Sequence, residues 1–193
     1  VSARIVSGDR MTVEQYLEWA ERQPEGRYEL VDGVPHRMSP EANRHLLVKG
    51  AAFECFREAV RKARLDCKVL PDGGTVVIHT HKAREPDLLV VCGSALDLDS
   101  MIVGEPVILV EVTSPSTVRT DTGDKLIEYF SLETVQHYLL VHPSERKVVH
   151  HRRTDTGKIE TAIVSAGPVR FDPPGFEVEV ERFFEDLPPA KAH

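Results

Sequence analysis

Cysteine is scarce in this chain. Its 193 residues include three, Cys55, Cys67 and Cys92, and no two stand in a C-x-x-C spacing. That excludes a zinc ribbon and a thioredoxin-type redox motif. An odd count of scattered cysteines reads as three reduced thiols in a cytoplasmic protein. Cys92 closes the apolar run Leu88-Leu89-Val90-Val91 and is expected in the core. Long hydrophobic runs are also missing. None approaches the roughly 18 apolar residues of a spanning helix, so no membrane span is expected. The segment Val1-Ser2-Ala3-Arg4-Ile5-Val6 has no long apolar stretch of the secretory-signal kind. Basic charge is in deficit, with 24 Lys+Arg against 31 Asp+Glu and a formal net charge of −7. Histone-like or coat-like nucleic-acid binders draw affinity from many basic contacts and are thereby excluded. An enzyme that meets nucleic acid at one local patch is not.

The length suits a single domain, with a core over about 11–187 and short arms at 1–10 and 188–193. Thr12 is a natural helix N-cap, and Gln15 completes a capping box, so a helix is expected to about Arg22 with Val13, Leu17 and Ala20 inward. Arg27–Val31 and Val34–Met38 flank the hairpin signal Asp32-Gly33. A long helix is expected over roughly Asn43–Arg64, with Leu46, Leu47, Ala51, Phe53, Val60 and Ala63 as its apolar stripe. Strands are expected at Thr75–Ile78, Asp87–Cys92 and Pro106–Thr113, then a helix over Asp121–Leu132. Further strands are read at Gln136–Val141, Lys147–His151 and Ile159–Val164, with a helical turn at Glu181–Asp186. This order predicts an α/β (α+β) chain: a mixed central sheet flanked by helices, preceded by an N-terminal helix and a β-hairpin.

Chemistry concentrates in three segments. In Pro106–Thr113, strand alternation puts Glu111 and Thr113 on one face with Val107 and Leu109, and Val110 and Val112 on the other. Glu111 interrupts an otherwise apolar run, and a buried carboxylate needs a cation or hydrogen bonds. Asp87 stands at the head of a similarly apolar strand. Two carboxylates on adjacent strands can hold a hard divalent ion such as Mg²⁺ or Mn²⁺, which can activate water against a phosphodiester. A nearby lysine would stabilise the charge that develops.

The ordered set Tyr28-Glu29-Leu30-Val31-Asp32-Gly33, Met38-Ser39-Pro40, His45, Pro86-Asp87, Glu111-Val112-x-Ser114-Pro115-Ser116-Thr117 and Asp121-x-x-x-Lys125-x-x-x-Tyr129 resembles the bacterial "putative restriction endonuclease" family. That family, also called Uma-two, is a branch of the PD-(D/E)XK nuclease superfamily, and the resemblance covers about Met11 to His151. It implies a restriction-endonuclease-like core that cuts DNA with Mg²⁺ or Mn²⁺, held by Asp87, Glu111 and the backbone carbonyl of Val112. The superfamily's usual lysine, two residues after the glutamate, is here Thr113. Lys125 matches the family's replacement from the following helix. Glu29 matches an additional acidic residue that binds water or a second metal, and His45 recurs in the pattern without an assigned step. Nuclease domains of this type often pair, so a homodimer acting on DNA is expected.

Simpler readings stand beside these. Asp87 and Glu111 could form structural ion pairs with Arg84 or Lys125, Lys125 could be a solvated helix lysine, and Glu29 an exposed strand residue. His79, His81, His150 and His151 read as surface-strand histidines, and Arg61-Lys62-Ala63-Arg64 and Arg152-Arg153 as candidate DNA contacts. Two rival functions follow: a nuclease-fold module that binds DNA or protein without cutting, and a homodimeric structural or regulatory protein.

Overall fold

The computed structural model describes residues 10–93, 96–114 and 123–189. A short helix α1 (Val13–Ala20) leads into the hairpin β1 (Tyr28–Val31) and β2 (Val34–Arg37), and the long helix α2 (Asn43–Lys62) follows. Next come β3 (Cys67–Pro71), β4 (Val76–His79), β5 (Lys82–Arg84), β6 (Leu88–Cys92) and β7 (Pro106–Val112), then helix α3 (Asp124–Phe130). The chain continues through β8 (His137–His142), β9 (Lys147–Arg153), β10 (Ile159–Val164), β11 (Pro168–Phe171) and β12 (Phe176–Glu179), and a 3-10 helix at Val180–Phe184. The expected mixed sheet between helices is present. It has six strands in the order β10-β9-β8-β7-β6-β3, with β7 and β8 parallel and the other neighbours antiparallel. A second sheet, β2-β1-β5-β4, and the two-stranded β11-β12 complete the fold.

Local chemistry explains the early elements. The Thr12 hydroxyl accepts from the Gln15 N–H, and Gln15 accepts from the Thr12 N–H, so the capping box forms as expected. Asp32 and Gly33 both take positive φ (51° and 80°), the signature of a tight turn matched to strand twist. A side chain at Gly33 would also meet Arg10 Cβ at 2.4 Å.

Helix α2 forms over nearly the expected range, with Ala51 and Val60 buried as expected but the rest of the inward face shifted. Val48, Ala52, Cys55, Phe56 and Val60 are buried, whereas Leu46 and Leu47 are exposed. Those buried positions recur at three- and four-residue steps and pack with Val90, Ile108 and Val110 of the large sheet, and with Phe171, Phe176 and Phe183 beyond. The other sheet face packs Leu89, Leu109, Tyr138 and Leu140 against Tyr129 of α3. In β7, Leu109 therefore faces α3, and Val110 and Val112 face α2, as alternation requires. Val107 departs from its expected face and packs toward α2, because the β6–β7 register shifts between Val90 and Val91. One such shift inverts the alternation beyond it.

Two expectations are corrected. Cys67 and Cys92 form a disulfide, leaving Cys55 as a buried free thiol. β3 pairs antiparallel with β6 in a register that sets Cys67 opposite Cys92, so thiol content no longer argues for a reducing compartment. His150 and His151 are buried rather than on the surface, because β9 is an inner strand between β8 and β10. His81 lies in the turn after β4 rather than in a strand.

His137 and His150 stack with an Nδ1···Nε2 distance of 2.9 Å, and His137 Nε2 lies 2.8 Å from the Pro173 carbonyl. A carbonyl only accepts, so His137 carries its proton on Nε2 and accepts from His150 when neutral. Burial holds both rings neutral, pushing His137 down to about 4 and His150 down to about 3. The unfolded chain binds these protons near pH 6.5, so stability is full above that value and falls as pH drops toward the folded pKa values. His137 alone should lose about 2 kcal/mol between pH 7 and pH 5. Urea unfolding at the two pH values checks this, and equal stabilities would refute it.

Candidate active site

β6 and β7 pair with Leu88 opposite Val110, so Asp87 and Glu111 emerge at the same end of adjacent strands. Both are buried, and both line one cavity of about 610 Å³ with Glu29, His45, Arg84, Val112 and Lys125. The carboxylates lean toward different layers. Asp87 Oδ2 accepts from the Val112 N–H at 2.7 Å, and His45 Nε2 of α2 lies 3.3 Å from that oxygen. Lys49 Nζ, also from α2, is 3.2 Å from Asp87 Oδ1. Burial alone would raise the Asp87 pKa, but His45, Lys49 and the Val112 N–H together hold it below the usual aspartate value.

Glu111 faces α3. Its Oε1 accepts from Lys125 Nζ at 2.8 Å and from the Tyr129 hydroxyl at 2.6 Å. Lys125 and Tyr129 are one helical turn apart, so one face of α3 delivers both. Lys125 is buried beside a carboxylate and is not a solvated helix lysine. Burial and the negative charge of Glu111 and Glu29 push the Tyr129 hydroxyl far above its ordinary pKa, so it acts only as a neutral hydrogen-bond donor. Its ring meets Tyr138 edge-on at 5.0 Å, which fixes the donor.

Glu29 reaches the site from β1. Its Oε1 accepts from the Glu85 N–H and lies 3.2 Å from Lys125, and its Oε2 accepts from Arg84 at 2.8 Å. Burial raises its pKa, yet Lys125 and Arg84 outweigh burial and hold it low. Arg84 also donates to Glu128, which Lys82 shares. Thr113 turns its hydroxyl to His142 Nδ1 at 3.0 Å and the Val141 carbonyl at 3.3 Å. The slot of the usual superfamily lysine is thus filled by a buried polar tie between β7 and β8.

The structure therefore brings Asp87, Glu111, Val112, Lys125, Glu29 and His45 around one cavity. It adds Glu41 and Lys49, which the sequence reading passed over. Glu41, His45 and Lys49 are spaced by four, a helical-face signal visible in the sequence, and Lys49 Nζ lies 2.8 Å from Glu41 Oε1. Ser116, Thr117 and Asp121 fall outside the described residues. Of the candidate DNA contacts, Arg153 donates to the carbonyls of Phe130, Leu132 and Val135. Arg152 pairs with Glu160 in the exposed face of β9–β10.

At one end of the sheet the cavity thus gathers buried carboxylates and a buried lysine. Residues 13–187 match the family described as Uma2, putative restriction endonuclease, and the chain belongs to that family. It is 28% identical over 158 residues to the uncharacterized protein slr1290 of Synechocystis sp., covering 77% of each chain. Its fold matches the crystal structure of a putative nuclease of DUF820 from Anabaena variabilis with a TM-score of 0.70. That match has 16% identity and covers 90% of this chain and 97% of the other.

Proposed function

We propose that this member of the family is a DNA endonuclease dependent on Mg²⁺ or Mn²⁺. The observation that carries the reading is the Asp87–Glu111 pair at the matched ends of β6 and β7, open to one cavity, with Lys125 buried 2.8 Å from Glu111. Asp87, Glu111 and the Val112 carbonyl would hold the ion. When bound, it supplies charge against phosphate oxygens and lowers the pKa of an attacking water.

The chain's own residues do the rest. Tyr129 and Lys125 both donate to Glu111 Oε1 and fix that carboxylate. Lys125 brings a positive charge to the cavity wall, where it stabilises the attacked phosphate or orients the water. Glu29 is a positioning residue, because its oxygens are taken up by Arg84, the Glu85 N–H and Lys125. The formal net charge of −7 argues against coating DNA over a broad basic surface.

Labelled duplex, branched and single-stranded DNA, each with Mg²⁺, Mn²⁺ or chelator, provide the test. At least one substrate is expected to be cut with an ion, and none with chelator or with Glu111→Ala. Failure to cut any of them with either ion, alongside salt-sensitive binding to the same DNA, would make the protein a binding module.

A further inference from the structure

The geometry points to a divalent-ion site built from Glu41, His45 and Asp87 that prefers a first-row transition ion, probed as Mn²⁺, over Mg²⁺. This rests on the metal-dependent nuclease reading and deepens it by adding an ion site that shares Asp87 with the Asp87–Glu111 pair, and a choice of ion. The ligand atoms of the three residues all lie within 4.8 Å of one another. Each comes from a different local setting. Glu41 precedes α2, His45 sits in its first turn, and Asp87 lies at the head of β6.

Two further observations bear on that cluster. The first is His45 Nε2, which is screened from solvent and makes no well-formed hydrogen bond. Asp87 Oδ2 is 3.3 Å away and Glu41 Oε2 is 3.9 Å away, but neither completes one. A buried nitrogen whose nearest acceptors are poorly placed is costly, and a cation between it and the two carboxylates removes that cost. The second is charge. On the α2 side, Glu41, Asp72, Glu85 and Asp87 face Arg27, Lys49 and the His45 imidazole, four carboxylates against two permanent cations. On the α3 side, Glu29, Glu111 and Glu128 face Lys82, Arg84 and Lys125, which balances, with Asp32 added at the rim. With its carboxylates ionised, the α2 side carries an excess of two negative charges among these described residues. Lys49 already touches Glu41, Asp72 and Asp87, so an incoming ion shares two of these carboxylates while the ammonium keeps Asp72.

The donor set decides the ion. Mg²⁺ takes oxygen ligands in near-ideal octahedra and sheds water reluctantly. An imidazole nitrogen adds little for Mg²⁺ and more for the first-row ions, whose affinities rise through the series from Mn²⁺. His45, which recurs in the family pattern without a step, thereby acquires one: it selects the ion that Asp87 helps to hold.

The test uses the ion-stripped full chain without DNA. Calorimetry should show Mn²⁺ binding on the order of tenfold tighter than Mg²⁺. His45→Gln, folded as judged by thermal melting, should bring the two within about threefold by weakening Mn²⁺. Pulsed electron spin resonance of the Mn²⁺-loaded wild type should show modulation from a directly bound nitrogen, a readout that needs no variant to fold. If Mn²⁺ binds without nitrogen modulation and with no preference over Mg²⁺, the ion sits on oxygens alone. The site proposal then falls while the nuclease reading stands. If neither ion binds and no ion supports cleavage, both fall together.

Discussion

Replacing Lys125 by methionine is expected to slow DNA cleavage about 10²–10³-fold, the scale of one lost electrostatic stabiliser. Methionine keeps much of the aliphatic stem and removes the charge. In the resting site that charge lies between Glu111 and Glu29, and during cleavage the phosphate gains negative charge for it to meet. Ion affinity should fall little or rise, because a cation near the metal ligands is gone. Single-turnover cleavage and calorimetry on the same preparation separate these outcomes. Unchanged cleavage, or complete loss of ion binding, would remove Lys125 from the chemistry. Installing a lysine at Thr113 in this background is not expected to restore activity. Thr113 is buried with its hydroxyl committed to Val141 and His142, so a longer cation there has neither room nor a partner.

Phe56→Ala is expected to cost about 3–5 kcal/mol of folding stability. The Phe56 side chain is fully buried, with ring centroids 5.0 Å from Phe171, 5.7 Å from Phe176 and 6.1 Å from Phe183. It joins α2 to the β11–β12 ribbon and the 3-10 helix. The same helix carries Lys49 and His45 about two and three turns earlier, so loosening its seat also loosens the site. Urea unfolding followed by circular dichroism checks the magnitude, and a loss below about 1 kcal/mol would show that the ring cluster repacks around the gap.

How much of this was legible in the sequence depends on whether a signal was local. The capping box at Thr12, the Asp32-Gly33 turn and the apolar runs of β6 and β7 each specify their own element, and each formed where expected. Strands β3, β5, β11 and β12 went unread because they are three to five residues long and take their identity from a partner. Lys82–Arg84 has one apolar residue and becomes a strand only between β1 and β4. The phase of α2 was misread in part: Ala51 and Val60 are buried as expected, but the exposed Leu46 and Leu47 drew the stripe away from Val48, Ala52 and Phe56, which face the sheet. At the site, the ordered motif gave Asp87, Glu111 and Lys125. Lys49 shared a four-residue spacing with His45 that went unused, and Asp72 gave no sign, because it joins the cluster through a contact with Lys49, 23 residues away in sequence. The Cys67–Cys92 bond was hidden for the same reason as β3.

That bond works as a ruler. Strand pairs of this kind can slide, and a slip of one residue turns every side chain to the opposite face. A covalent tie between Cys67 and Cys92 forbids sliding of β3 on β6, and the count it enforces runs Lys68–Val91, Val69–Val90, Leu70–Leu89, Pro71–Leu88. The next residues along are Asp72 and Asp87. Lys49 contacts both. A link made at one end of two strands thus dictates which two acids come to stand side by side at the other end, where the cavity opens.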